Sequence, residues 1–241
     1  MALMPVDEAL ARLLDGAARL PAETVPVAEA AWRVLAGPLT ALRTQPPFDA
    51  SAMDGYAVRA ADVAAVPAVL KQIGEAPAGR RFAGEIGPGE TVRIFTGAPM
   101  PAGADTVLIQ ENARALPDGT IEATESVAAG RHIRRRGLDF NAGDAILADG
   151  RTLDPAALSL AAAANHARLA VVRRPLVAIL ATGDELLPPG STPGPDQIIA
   201  SNAFGVAALV AREGGTVLDL GIAPDDRAAI AASVRRALDA G

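Results

Sequence analysis

Apolar positions along the chain change their period several times, and each change predicts an element. After Pro5, the residues Val6, Leu10, Leu13, Leu14 and Ala17 recur at helical spacing and draw one apolar stripe on an opening helix. Pro21 and Pro26 bracket a short extended piece, and 29–35 reads as a second, short helix. From Tyr56 to Ile146, short apolar runs at 68–73, 91–95, 105–110 and 120–123 alternate with Gly/Pro turns, the pattern of a compact β-rich region. Asp154-Pro155 opens a helix, with an N-cap followed by proline at the first helical position, and this helix runs to Asn165. A strand follows at 169–172.

Beyond Arg173-Arg174-Pro175 the pattern changes again. The run 176–181 is continuously apolar, as expected of a strand covered on both faces. A long Gly/Pro-rich loop spans 182–200. Ser201 or Asn202 then caps a helix that carries Val206, Leu209 and Val210 and is stopped by Gly214-Gly215. A second strand is expected at 216–220. Asp225-Asp226 opens a last helix with Ile230, Val234 and Leu238 in line. The order β–loop–α–β–α predicts the first half of a parallel, doubly wound domain. Two parallel strands do not make a self-sufficient sheet. A third strand is therefore expected past Gly241, from an N-terminal fragment or from a part supplied elsewhere.

Composition narrows the function classes. The chain has 241 residues, half of them apolar, with 23 glycines and 19 prolines, so it can build a core and must turn often. A formal charge of −6 and few aromatics argue against nucleic acid and against an anionic membrane surface. The absence of cysteine excludes disulfides, thiolate metal sites and cysteine nucleophiles. The two histidines, His132 and His166, are isolated, and His166 sits in the tail of an alanine-rich helix. Met1 to Glu8 has no basic leader region, and no long apolar span occurs, so a cytoplasmic protein is expected.

Five patches carry candidate chemistry. The first is 46–58 (PPFDASAMDGYAV), with Ser51 and with Asp54 in the turn Met53-Asp54-Gly55. Of seven aromatic residues, Phe48, Tyr56, Phe95 and Phe140 sit beside an acidic residue or a Thr-Gly turn, which suggests a shaped, partly dry pocket. The second is 91–99 and its continuation to Asp105, where a strand delivers Thr96 to a Gly97-Ala98-Pro99 turn able to hold an oxyanion. The third is the run Arg134-Arg135-Arg136 followed by Asp139. The fourth is Thr182-Gly183-Asp184-Glu185, at the carboxyl end of a strand. The fifth is Ser201-Asn202 with Asp225-Asp226 at the next strand-to-helix turn. Each has a plain reading too: turns for the Asp-Gly and Thr-Gly pairs, a solvated face for the arginines, a helix cap for Asp225-Asp226. Ligands of open α/β sheets bind outside the carboxyl ends of the strands. Asp184, Glu185 and Asp225 would gather there, and such carboxylates call for a cation such as Mg²⁺ with a phosphate-bearing ligand. No Walker loop or dinucleotide fingerprint occurs.

Taken together, PPFDASAMDGYAV, VRIFTGAPMPAGADTV, IRRRGLDFNAGD, LATGDELLPPG, QIIASN and GIAPDD follow one another in an order that resembles the MoeA family of molybdopterin molybdenumtransferases, whose animal relative is a domain of gephyrin. The resemblance implies a multi-domain α/β plus β-rich fold. Residues 1–174 would be a helical, elongated dimerisation region with a β-rich domain inserted at 51–146. Residues 175–241 would be part of a molybdopterin-binding α/β domain of MogA/MoaB type. It implies insertion of molybdenum from molybdate into adenylylated molybdopterin, with Mg²⁺-dependent release of AMP, by a homodimer whose site lies between the β-rich domain of one subunit and the α/β domain of the other. By that analogy Asp54, Thr96, Asp139, Glu185 and Asp225 are catalytic. Ser51, Gly97, Thr182, Gly183, Ser201 and Asn202 touch substrate, and Asp184, Glu185 and Asp225 hold metal. Contact with a MogA-like adenylyltransferase is a further expectation. The family's Ser-Gly-Gly turn, its Lys/Pro-rich segment and its C-terminal β domain are not in this sequence, and Lys71 is its one lysine. The chain alone is therefore expected to be weakly active or inactive. A non-catalytic dimerisation module and an adenylyltransferase-like enzyme are the competing readings.

Overall fold

Ala57 and Val58 are neighbours in the chain and both are fully buried, which is possible only where a strand has a core on each side. Their strand, Gly55–Val58, lies second in a six-stranded sheet. The sheet order is Thr106–Ile109, Gly55–Val58, Glu90–Ile94, Ala68–Ala76, Thr120–Ala123, Ala113–Ala115. Neighbours run antiparallel except Ala68–Ala76 and Glu90–Ile94, which are parallel. One face packs Ala57, Val92, Ile94 and Val107 against Ile86 and Met100. The other packs Val58, Leu70, Leu108 and Ala123 against Val63. Each fully buried Val, Leu or Ile contributes about 1.5–3 kcal/mol, so the sheet is the main source of stability in its part of the chain.

The computed structural model describes residues 4–240; Gly241, at which the sequence reading expects the chain to continue into another strand, lies outside them. The chain forms two compact units. One comprises the described parts of Met1–Pro38 and Ala167–Gly241 together with Ala148–Leu158, and the other comprises Leu39–Leu147 and Ser159–His166. Four α-helices occur among the described residues: α1 (Val6–Leu14), α2 (Pro155–Ala163), α3 (Asn202–Arg212) and α4 (Arg227–Ala240). The fold is thus mixed α/β with a multi-strand sheet.

In the first unit, Ala22–Pro26 pairs antiparallel with Arg168–Val172. The buried Arg33 anchors this ribbon, pairing with Glu23 and donating to the Val172 carbonyl at 2.8 Å. Leu176–Thr182 and Thr216–Ala223 form a parallel pair, and both α3 and α4 pack on it. Asp154 caps α2, accepting the Ala157 N–H at 2.8 Å, and Asp226 caps α4, accepting the Ala229 N–H at 2.8 Å. These are the caps read from the sequence.

Four expectations are corrected. Segment 29–35 is no helix. Only Val27–Glu29 makes a 3-10 turn, Trp32 has φ 61°, and the Trp32 and Leu35 N–H groups donate to Leu153 and Arg151 carbonyls. Here long-range backbone pairing outcompetes helix propensity. Helix α1 stops at Leu14, before Ala17, and its stripe of Val6, Leu10, Leu13 and Leu14 is exposed. The strand Leu176–Thr182 is not covered on both faces, and only Ile179 in it is buried. Ser201 stands at the N-cap of α3 but makes no side-chain capping bond. The loop 182–200 also contains a short parallel pair, Leu186–Leu187 with Ile198–Ile199.

Candidate functional site

Three segments far apart in sequence are zipped together by backbone hydrogen bonds in the second unit. Ser51 N–H donates to the Ala98 carbonyl at 2.9 Å, Gly97 N–H to the Ser51 carbonyl at 2.8 Å, and Met100 N–H to the Asp49 carbonyl at 2.9 Å. Ala50–Ser51 also pairs with Ile133–Arg134. Ser51 is buried, and its hydroxyl donates to the Met53 carbonyl at 2.5 Å, tightening the turn that carries Asp54.

Asp54 is the focus of this arrangement. One carboxylate oxygen, Oδ1, accepts the Thr96 N–H at 2.8 Å and the Thr96 hydroxyl at 2.7 Å. Both bonds exist because Gly97 has φ 83°, closing a turn in which Ala98 N–H reaches the Phe95 carbonyl at 2.9 Å and the Thr96 amide is left free. The backbone bond from Thr96, then its hydroxyl bond, hold the Asp54 carboxyl below the ordinary aspartate range; partial desolvation opposes them and the Arg93 charge adds to them.

Arg93 faces Tyr56 directly across the sheet. Its guanidinium lies 5.0 Å from the Tyr56 ring centre and 5.1 Å from that of Phe95, and donates to the Gly55 carbonyl at 3.1 Å. The aromatic clustering read from the sequence therefore resolves into different uses. Tyr56 and Phe95 hold an arginine, Phe48 lines a cavity, and Phe140 is buried with Ala41 and Ala164.

That cavity, of about 280 Å³, is lined by Phe48, Ser51, Thr96, Gly97, Arg134 and the segment around Pro46. Ser51, Thr96 and Gly97 are thus brought together as expected. Asp139 joins them through Arg134, whose single nitrogen Nη2 donates to both its carboxylate oxygens at 3.0 and 2.9 Å. The sequence offers Arg134 both as part of a candidate patch and as a solvated charge, and the structure finds it exposed yet in the cavity wall; Arg93 is not among the sequence candidates. The signal for Arg93 was legible: a lone charge between Val92 and Ile94 in a period-2 strand must face away from their core. His166, read as a helix-end residue, is within 2.8 Å of the Thr40 carbonyl through Nε2.

The first unit holds the other expected residues, but Asp184, Glu185 and Asp225 do not come together there as the expected three-carboxylate set. Thr182 and Ala223 are paired in register at the carboxyl ends of the two parallel strands. Asp184 and Asp225 each stand two residues further on, and Asp184 Oδ1 accepts the Asp225 N–H at 3.2 Å. Gly183 N–H donates to the Ala223 carbonyl at 3.1 Å, and a Cβ at Gly183 would run into the Glu185 carboxylate, which folds back over it. Thr182, Ser201 and Asn202 line one cavity of about 420 Å³ with Leu186 and Val206.

Among the described residues, no three His, Cys, Asp or Glu side chains come together as a set able to hold a metal ion. A magnesium ion takes one or two protein carboxylates and completes its shell with water and phosphate oxygens. Asp184 meets Asp225 through the Asp225 backbone N–H and not through its carboxylate, so at most a pair of carboxylates is available to such an ion here.

Residues 4–165 match the family model of the MoeA N-terminal region, domains I and II, and residues 178–241 match that of the probable molybdopterin binding domain. The chain is 40% identical over 225 residues to molybdopterin molybdenumtransferase 2 of Mycobacterium tuberculosis, an alignment covering 90% of this chain and 55% of the relative. It is 36% identical to the molybdopterin molybdenumtransferase of a Nostoc species, covering 90% and 50% respectively. The chain thus spans about half the length of these curated relatives. The crystal structure of the molybdopterin biosynthesis moeA protein of Pyrococcus horikoshii superposes with a TM-score of 0.88 at 32% identity, covering 99% of this chain and 64% of the other. With a family model matching well over half its residues, the chain belongs to the MoeA family.

Proposed function

We propose that this chain serves molybdenum cofactor biosynthesis as a molybdopterin molybdenumtransferase, inserting molybdenum from molybdate into adenylylated molybdopterin with release of AMP. The observation that carries this reading is the Asp54 carboxylate held by Thr96 beside a cavity with an arginine in its wall. An ionised carboxylate fixed by two donors can orient a water or a reacting hydroxyl without shifting during the reaction. Arg134, steered by Asp139, presents positive charge to an anionic substrate, and the Ser51–Gly97 wall excludes water from one side. The Thr182, Ser201 and Asn202 cavity offers hydroxyl and amide groups above apolar walls, a lining suited to a ring system with polar edges.

Of Asp184, Glu185 and Asp225, the three expected metal residues, no more than two are proposed to meet one Mg²⁺, with phosphate oxygens and water completing its shell. When bound, the ion would supply charge neutralisation at the phosphate link. A homodimer is the proposed assembly, supported by the exposed apolar stripe of α1, and a MogA-like adenylyltransferase is the proposed supplier of substrate. A cytoplasmic location remains the reading; among the described residues no helix is long and apolar enough to cross a membrane.

The test is AMP release from adenylylated molybdopterin, with and without molybdate. Release that depends on molybdate supports the transferase. Release indifferent to molybdate, or synthesis of the adenylate from molybdopterin and ATP, would point to the adenylyltransferase reading; no turnover with retained self-association fits both a binding module and the low activity expected of this chain alone.

A further inference from the structure

We propose that the hollow between Arg43 and Arg136 is a binding site for a phosphate-type oxyanion, distinct from the cavity lined by Ser51 and Thr96 and independent of the transferase reading. Three consecutive arginines have three different fates. Arg134 is held by Asp139, and Arg135 donates to Asp49 at 2.6 Å. Arg136 gives only its backbone N–H to Asp49, at 2.8 Å. Among the described residues, neither its guanidinium nor that of Arg43 makes a hydrogen bond or an ion pair. Both arginines are exposed, and both line an open hollow of about 510 Å³ with Thr44, Pro47, Ala142 and Asn165.

The lining is made of donors. No carboxylate contributes to it, and nearby Asp49 is already occupied by Arg135 and by the Arg136 N–H, which together hold its carboxyl below the ordinary range. The Thr44 oxygen accepts the Ala142 N–H at 3.2 Å, which leaves the Thr44 proton free to donate. Asn165 stands just past α2 with φ 76° and lines the hollow, and among the described residues its side-chain amide makes no hydrogen bond. Two unpaired guanidiniums facing one hollow repel each other, and a dianion between them turns repulsion into two attractions. The planar fork of arginine matches a tetrahedral oxyanion through two parallel N–H···O bonds. The occupant is therefore inorganic phosphate or the phosphate group of a larger monoester.

The experiment is a calorimetric titration of the 241-residue chain at low ionic strength with inorganic phosphate and, separately, with AMP as a monoester, alongside an NMR titration that follows the backbone amides. Saturable binding of either probe, with the largest shifts at Thr44, Ala142 and Asn165, supports the site, and the tighter probe names the source. Arg43→Gln and Arg136→Gln should each weaken binding about tenfold, while Arg131→Gln, an exposed arginine outside the hollow, should leave it unchanged. Absence of saturation with both probes, shifts confined elsewhere, or equal weakening by Arg131→Gln overturns the proposal. The amide shifts of the unmodified chain decide the matter even if a variant folds poorly.

Discussion

Asp54 and Thr96 meet through two hydrogen bonds onto a single carboxylate oxygen, 2.8 Å from the Thr96 nitrogen and 2.7 Å from its hydroxyl, although 42 residues separate them. A loop aspartate exposed to water would titrate in the ordinary range. This one is kept ionised by its partner, and the partner is held in place by the turn at Gly97.

Thr96→Val keeps the backbone bond and removes the hydroxyl bond. The Asp54 carboxyl should then titrate at a higher pH than in the unmodified protein, yet still below the ordinary range. Because a depressed carboxyl is protonated only as pH falls through its folded value, any step that needs the Asp54 anion should lose its acid limb at higher pH in the variant. Carboxyl-carbon NMR titration reads the shift directly.

Asp54→Asn preserves size and removes the charge. Because two bonds from Thr96 hold the carboxylate, the melting temperature should fall modestly, while under the proposed function molybdate-dependent AMP release should fall roughly 100-fold, the scale of losing one positioned acid–base or electrostatic group. An unchanged rate would remove Asp54 from the chemistry.

Gly55→Ala should damage the fold instead. A Cβ at Gly55 would overlap the Leu108 carbonyl oxygen of the neighbouring strand, where backbone cannot yield as a flexible side chain would. The expected cost is about 1–3 kcal/mol, seen as a lower urea midpoint with an unchanged slope.

Asp49→Asn tests the acid sensitivity of the second unit. The Arg136 N–H, then the Arg135 guanidinium, depress the Asp49 carboxyl in the folded state. Its stabilising contribution is therefore present above the unfolded value and is lost as pH falls through the folded one. The variant should be less stable than the unmodified protein at neutral pH and should lose less stability on acidification. Urea midpoints measured from neutral to acid pH would show the two curves converging; parallel curves would refute the assignment.

Much of the secondary structure was legible because local rules suffice there. The Asp154-Pro155 and Asp226 caps, the strands at Ala68–Ala76 and Glu90–Ile94, and the β–α–β–α order from Leu176 are set by period and by short-range hydrogen bonding. The failures fall where a partner distant in sequence decides. Segment 29–35 carries helix-forming residues, yet its N–H groups find carbonyls at 151 and 153. Gly55 ends the turn at Asp54 in the sequence and no strand is assigned to 55–58, yet Gly55–Val58 is a strand with neighbours on both sides. Arg134 belongs to a candidate patch in the sequence and is exposed in the structure, but only the pairing of Ile133–Arg134 with Ala50–Ser51 sets it in the cavity wall.

By itself the sequence determined which residue types stood ready: an aspartate in a tight turn, a threonine before glycine, carboxylates just past two strands, and the family to which this combination belongs. Only the tertiary structure decided which of them touch. It paired Asp54 with Thr96, spent Arg134 and Arg135 on carboxylates while leaving Arg136 free, and set Asp184 against the Asp225 N–H. The reason is one of range. Capping, turns and period act over a few residues, whereas a hydrogen bond between residues 42 apart exists only after a sheet register has brought both ends to the same edge.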